Sequence, residues 1–222
     1  MLQNKVFIKE IFESVQGEGP YIGVNQLFIR FSSCNLHCKY CDTDFKTNLK
    51  EYSTEELINV INLYKNIHSV SLTGGEPLLE TSFLKEFLPL TDKKIYLETN
   101  GTLYEELKEI INYIDIISMD IKLPSSTAMS DLFEKHKQFI RVAKQKDLFI
   151  KIVFDENITD IEIKNTIDIA KQDNLLIILQ PMMNGNELNI KSDFINEVYY
   201  KYINIYNNVR LIPQVHKFIN IR

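Results

Sequence analysis

All three cysteines of the chain, Cys34, Cys38 and Cys41, fall within eight residues, spaced C-x3-C-x2-C. Three thiolates can hold three irons of a 4Fe–4S cluster and leave the fourth iron open to a ligand that is not protein. A structural zinc site of the Cys3His type, completed by His37 or a more distant histidine, would use the same thiols. Lone cysteines also serve as small buried apolar residues.

Other short polar stretches have types and spacings suited to binding. Thr73-Gly74-Gly75-Glu76-Pro77 pairs two glycines, which let backbone approach a ligand closely. Glu76 there could accept hydrogen bonds from an ammonium group. The same stretch also reads as a turn into a helix that Pro77 starts. Glu98-Thr99-Asn100-Gly101-Thr102 gathers short polar groups, or is an ordinary turn in which Thr102 and Glu105 form a capping box. Asp120 and Lys122 precede Leu123-Pro124. A lysine there is usually solvated, but in a cleft it pairs with a carboxylate. Near the start, Ile11 to Gly19 ends in Gln16-Gly17-Glu18-Gly19, which by itself is a flexible turn.

These stretches need a scaffold, and the hydrophobic pattern supplies one. Strands are expected at Leu27 to Phe31, Ser69 to Thr73, Lys94 to Glu98, Asp115 to Asp120, Leu148 to Phe154, Leu175 to Leu179 and Val209 to Ile212. Helical stripes fall between them. Ser53 to Tyr64 begins with a Ser53–Glu56 capping box, and Thr159 with Glu162 caps a later helix. Phe83, Leu84, Phe87 and Leu88 make one stripe, Leu132 to Ile140 another, and Phe194 to Tyr202 a third. Strands separated by helices imply parallel pairing with right-handed crossovers. The units are too few for a closed eight-fold barrel. The expected fold is α/β: a partial, open β/α barrel with about six parallel strands, residues 1–222 forming one domain. The polar stretches then fall together at strand C-termini, with Gln180 at the end of the sixth strand.

Composition narrows the class. A formal net charge of −5 and 45% hydrophobic residues suit a globular protein and argue against broad nucleic-acid binding, which needs a basic footprint. No apolar run approaches a membrane span. The first ten residues lack a signal-peptide pattern. With no disulfide framework, the expectation is a cytoplasmic protein.

The cysteine spacing followed by GGEP resembles the radical S-adenosylmethionine (SAM) enzymes. In order, QGEG, a strand carrying Arg30, CNLxCxYCDT, GGEP, ETNGT and Pro213-Gln214-Val215-His216-Lys217 closely resemble the 7-carboxy-7-deazaguanine synthases of that superfamily, from about residue 8 to 218. Where other members carry serine-proline-lysine after the fourth strand, this chain has Asp120-Ile121-Lys122. The resemblance implies that Cys34, Cys38 and Cys41 hold a 4Fe–4S cluster. It implies that Tyr40, Asp42, Gly75, Glu76, Asp120 and Lys122 meet SAM. Val15, Gln16, Gly17, Arg30 and Thr73 would line the substrate pocket, and Thr43 would bind Mg²⁺. His216 reads as structural.

The implied reaction turns 6-carboxy-5,6,7,8-tetrahydropterin into 7-carboxy-7-deazaguanine with loss of ammonia, on the route to queuosine and other 7-deazapurines. A 5′-deoxyadenosyl radical from the cofactor would start it in a homodimer served by a reductant such as flavodoxin. A glycyl-radical enzyme activase shares the cysteine loop and GGEP. A zinc-stabilised interaction module is the alternative from a different class.

Overall fold

The computed structural model describes residues 4–39, 41 and 47–221. Strands β1 (Lys5–Val15) and β2 (Asn25–Phe31) are followed by β3 (Lys50–Ser53), α1 (Thr54–Ile61), β4 (Ser69–Gly74), α2 (Thr81–Phe87), β5 (Ile95–Thr99), α3 (Tyr104–Ile110) and β6 (Ile116–Asp120). Then come α4 (Pro124–Thr127), α5 (Phe133–Ala143), β7 (Asp147–Phe154), α6 (Asp160–Lys171) and β8 (Leu176–Pro181). A small hairpin of β9 (Met183–Asn184) and β10 (Glu187–Leu188) precedes α7 (Ser192–Ile203), β11 (Val209–Leu211) and α8 (Val215–Phe218).

Nine of these strands form one sheet in the order β11-β8-β7-β6-β5-β4-β2-β1-β3. From β11 to β2 all pairings are parallel, which makes seven parallel strands where about six were expected. The order has two ends and does not close, so the barrel is open as the sequence implied. Strands β1 and β3 add an antiparallel margin that is absent from the strands expected from the sequence. The reason is visible in β1 itself. Its register shifts between Ile8 and Glu10, so the alternation that marks a strand changes phase midway.

The sheet is covered on both faces, and the two faces differ in chemistry. One presents Leu27, Ile29 and Phe31 of β2, Val70 and Leu72 of β4, Leu97 of β5 and Ile150 and Ile152 of β7. These bury against Phe83, Phe87, Leu107 and Phe139 of the helices. Each such side chain contributes roughly 1.5–3 kcal/mol on burial. On the other face, the alternate residues are polar toward the strand C-termini: Arg30, Thr73, Glu98, Ser118, Asp120 and Lys151. Their register is set by the pairings Arg30↔Thr73, Glu98↔Ser118 and Asp120↔Lys151. The N-terminal end of this face is closed by Tyr96, Ile116, Phe149 and Ile178 with Tyr21 and Ile212. A polar mouth above an apolar plug is what a site on a parallel sheet requires.

Two of the three expected capping boxes form. Ser53 Oγ accepts from Glu56 N at 3.3 Å while Ser53 N donates to Glu56 Oε2 at 2.8 Å. Thr159 and Glu162 do the same at 3.2 and 2.9 Å. The Thr102–Glu105 box does not form: α3 starts at Tyr104 with no side-chain cap. The Thr102 hydroxyl is taken instead by Asn100 Oδ1, to which it donates at 2.6 Å, and by Asn35 Nδ2, which donates to it at 2.9 Å. Among the described residues, no helix is long and apolar enough to cross a membrane.

Candidate active site

Two adjoining cavities open over the polar end of the sheet. The larger, of about 770 Å³, has Cys34, Cys38, Cys41, Gly75, Asp120 and Lys122 in its wall. The smaller, of about 440 Å³, is bordered by Val15, Gln16 and Gly17. Arg30 and Thr73 border both. The expected cofactor and substrate residues are therefore brought into one connected space. Tyr40, Asp42 and Thr43 lie outside the described residues.

Glu76 is the exception. Its side chain is fully buried and is not part of either wall. Oε2 accepts from Asn100 N at 2.8 Å, and Oε1 accepts from Thr99 Oγ1 at 2.8 Å and Leu78 N at 3.2 Å. Burial pushes its carboxyl up to about 7 against the pull of those three donors. In this structure Glu76 pins the β4 turn to the end of β5 from below, and its oxygens meet protein donors where an ammonium was expected.

The cysteine loop rests on the glycine pair. Gly75 N donates to Phe31 O at 3.1 Å and Glu76 N to Ser33 O at 2.7 Å. A Cβ on Gly75 would fall 1.8 Å from the Ser33 carbonyl oxygen, so the glycine is there to let two loops touch. The mid-loop Leu36 is buried, and Lys39 N donates to Thr127 O of α4 at 3.1 Å. Cys34 and Cys38 are half-buried and Cys41 is exposed. Burial raises the first two thiols, partly offset by the Leu36 N–H at Cys34 and by Lys122 at Cys38.

Three charged residues absent from the expected set line this space: Glu18 and Glu98 border both cavities, and Lys151 borders the larger. Glu18 and Lys151 form an ion pair across the gap between the QGEG turn and β7. Asp120 Oδ2 sits 3.8 Å from Lys151 Nζ and 2.7 Å from Lys122 Nζ. Burial would push the Glu18 carboxyl up, but Lys151, with a hydrogen bond from Gln214, outweighs it and holds the group at about 2. Burial would likewise lower Lys151. The carboxylates of Glu18, Asp120 and Glu98 hold it raised instead. Glu98 stands at the junction, accepting from Thr73 Oγ1 at 2.7 Å and from Gln16 Nε2 at 3.0 Å. The signal for Lys151 and Glu98 was in the sequence: a charge inside an otherwise apolar strand run, LFIKIVF and IYLET, has to face something polar.

The C-terminal segment closes the smaller cavity. Gln214 Nε2 donates to Glu18 Oε1 at 2.7 Å, and Val215 N to Gly17 O at 2.9 Å. His216 lies directly against Gly17, where a Cβ would meet its Nδ1 at 2.1 Å. His216 thus borders the smaller cavity as well as packing on the turn.

The sequence profile described as the radical SAM superfamily matches residues 28–170. A 7-carboxy-7-deazaguanine synthase of Geobacter sulfurreducens is 38% identical over 96% of both chains. One of Archaeoglobus fulgidus is 33% identical over 96% of this chain and 97% of that one. The chain belongs to the 7-carboxy-7-deazaguanine synthase family of the radical SAM superfamily. The fold agrees: the crystal structure of QueE from Escherichia coli superposes with a TM-score of 0.64 at 22% identity, over 96% of this chain and 95% of that one.

Radical SAM membership implies a 4Fe–4S cluster and SAM, and the synthase fold offers suitable groups for both. Three thiols line one cavity, one for each of three irons, although among the described residues no three such groups are gathered closely enough to hold a single ion. Asp120 Oδ1 and Gln180 Oε1, which both belong to residues lining the larger cavity, are buried acceptors that no donor among the described residues meets. They suit a ligand rich in amino and hydroxyl donors.

Beneath the site His136 of α5 is fully buried, its Nε2 3.2 Å from Asn100 O. Burial lowers this ring to about 4, against the smaller opposing effect of the Asn100 contact. The unfolded chain takes up a proton near the ordinary value of 6.5 that the folded ring refuses. This contribution to stability is therefore present above that value and is lost as the pH falls toward 4. Denaturant midpoints at pH 7 and pH 4.5 should fall less in His136→Phe than in the wild type. Equal falls would show that the ring is already charged in the fold.

Proposed function

We infer that this chain is a lyase that forms 7-carboxy-7-deazaguanine from 6-carboxy-5,6,7,8-tetrahydropterin with loss of ammonia, in queuosine and 7-deazapurine biosynthesis. The observation that supports it most is the meeting of the two cavities at Arg30, Thr73 and Glu98. One side carries the cysteine wall, and the other carries the QGEG turn under the C-terminal segment. The bound cluster and SAM would supply a radical able to take one substrate hydrogen.

The chain's own residues would do the rest. Cys34, Cys38 and Cys41 would hold three irons. Gly75 would let backbone reach the amino acid end of SAM, with Asp120 and Lys122 alongside and Tyr40 and Asp42 contributing from the loop. Val15, Gln16 and Gly17 would border the pterin. Arg30, held by Glu10 through Nε at 2.7 Å, would offer a planar guanidinium to the substrate. The Lys151–Glu18 pair and Gln214 would keep the C-terminal segment down and water out. Thr43 would give one oxygen to Mg²⁺, which favours a few oxygen ligands and water.

The reading takes residues 1–222 as one domain, paired as a homodimer in the cytoplasm and reduced by a protein such as flavodoxin. The smaller cavity, at about 440 Å³, suits a single small ring system better than the protein loop a glycyl-radical activase must admit.

The test is direct. Anaerobically reconstituted protein is given the tetrahydropterin, SAM, Mg²⁺ and a reductant, and the product is sought by mass. The deazaguanine should appear only in the complete mixture. Its absence from an iron-loaded enzyme that cleaves SAM would overturn the substrate assignment. Thr43→Ala should bind SAM normally and lose most of the stimulation by Mg²⁺.

A further inference from the structure

A closed ring of side-chain hydrogen bonds ties the cysteine loop to the end of β5. Asn100 Nδ2 donates to Asn35 Oδ1 at 2.8 Å. Asn35 Nδ2 donates to Thr102 Oγ1 at 2.9 Å, and Thr102 Oγ1 donates to Asn100 Oδ1 at 2.6 Å. Thr102 N adds a second bond to Asn100 Oδ1 at 3.1 Å. Asn100 and Thr102 are buried, whereas Asn35 is exposed. The buried pair is itself fixed, since Asn100 N donates to Glu76 and Asn100 O meets His136.

We propose that Asn100 and Thr102 are positioning residues that fix the cysteine loop through Asn35, and thereby set where Cys34 and Cys38 stand in the cavity wall. The chemistry of the groups makes the device specific. An amide presents one acceptor and one donor side by side, so Asn100 can take the Thr102 hydroxyl with one atom and hold Asn35 with the other. Asn35 is the residue next to Cys34 and three before Cys38. Its amide is the point at which a solvent-facing loop is joined to a buried framework. Burial of Leu36 anchors the middle of the loop without fixing its rotation, and the Asn35 amide supplies the directional tie; misplacement by about 1 Å near a reacting centre is costly. Thr102 also explains why α3 lacks a cap: the hydroxyl serves the loop instead of the helix.

The inference rests on the cysteine loop carrying the cluster, and it is independent of which substrate the enzyme takes. Three variants test it in the reconstituted full chain: Asn35→Ala, Thr102→Val and Thr102→Ser. The first changes an exposed side chain, so the fold is not at risk. The second keeps shape but removes the hydroxyl, and the third restores it. Two quantities are read: the rate at which a chelator strips iron from the reduced protein, and the 5′-deoxyadenosine formed without substrate turnover.

Asn35→Ala and Thr102→Val should each speed iron release about fivefold to tenfold, the scale of one lost hydrogen bond. Both should raise unproductive 5′-deoxyadenosine formation. Thr102→Ser should return both quantities toward the wild type. The double variant Asn35→Ala with Thr102→Val should be no worse than Asn35→Ala alone, because removing the Asn35 amide already cuts both bonds that tie the loop to the ring. Unchanged iron release and unchanged 5′-deoxyadenosine in Asn35→Ala would overturn the proposal, even if Thr102→Val failed to fold. So would additive effects in the double variant.

Discussion

Gly75→Ala should leave the protein folded yet unable to hold its iron normally, with turnover reduced by at least about a hundredfold, the scale expected for a misplacement near 1 Å at a reactive centre. The new methyl would lie 1.8 Å from Ser33 O and 2.4 Å from Ser33 C. These are backbone atoms of the cysteine loop, with no flexible side-chain end that could swing aside. The loop must lift, and the bonds Gly75 N→Phe31 O and Glu76 N→Ser33 O go with it. Gly23→Ala is the control, because nothing lies within 4 Å of its would-be Cβ, although its φ of +89° makes alanine strained there. Iron content, reduced-cluster spectra and turnover should all fall in Gly75→Ala and stay near wild type in the control. Normal iron and turnover in Gly75→Ala would show that the two loops do not need this contact.

Lys151→Met should lower the unfolding free energy by about 3–5 kcal/mol, the usual penalty for orphaning a buried charge. The Lys151 side chain is 10% exposed, and its ammonium serves two carboxylates, Glu18 and Asp120. Asp120 keeps Lys122, but Glu18 keeps only the Gln214 amide among the side-chain partners described. Adding Glu18→Gln to Lys151→Met should recover a large part of the loss, since no lone charge then remains. Chemical denaturation of the two variants measures this. A double variant as unstable as the single one would mean that lost packing, rather than the stranded carboxylate, sets the cost.

Much of this architecture was legible because the strands are long apolar runs between clear helical stripes. β4, β5 and β6 lie within a residue of their expected limits. β1 was missed because its alternation changes phase at the Ile8–Glu10 bulge. The motifs located the cavity walls, since chemistry on a parallel sheet sits at strand C-termini. They did not reveal which polar groups face inward. Glu76 looked like a ligand-binding carboxylate because it follows two glycines, and the fold turns it down onto Thr99 and Asn100. Thr102 looked like a cap because a glutamate follows three residues on, and Asn35, distant in sequence, claims its hydroxyl. Lys151 lies outside any short motif, and Glu98, although it opens the ETNGT stretch, carries no sign there of which face it takes. Only the register of the sheet brings them beside the QGEG turn.

On this reading the smaller cavity holds the tetrahydropterin ring with its C6 hydrogen, the one the radical removes, toward the cavity that the cysteines line. Substrate carrying deuterium at C6 tests it most directly, with the label followed into 5′-deoxyadenosine and SAM by mass. Reacting atoms held roughly 3–3.5 Å apart lead to one hydrogen being taken each time. The label should therefore leave the substrate in every turnover and appear in 5′-deoxyadenosine or in SAM. Product formed with no deuterium in either species would contradict the account.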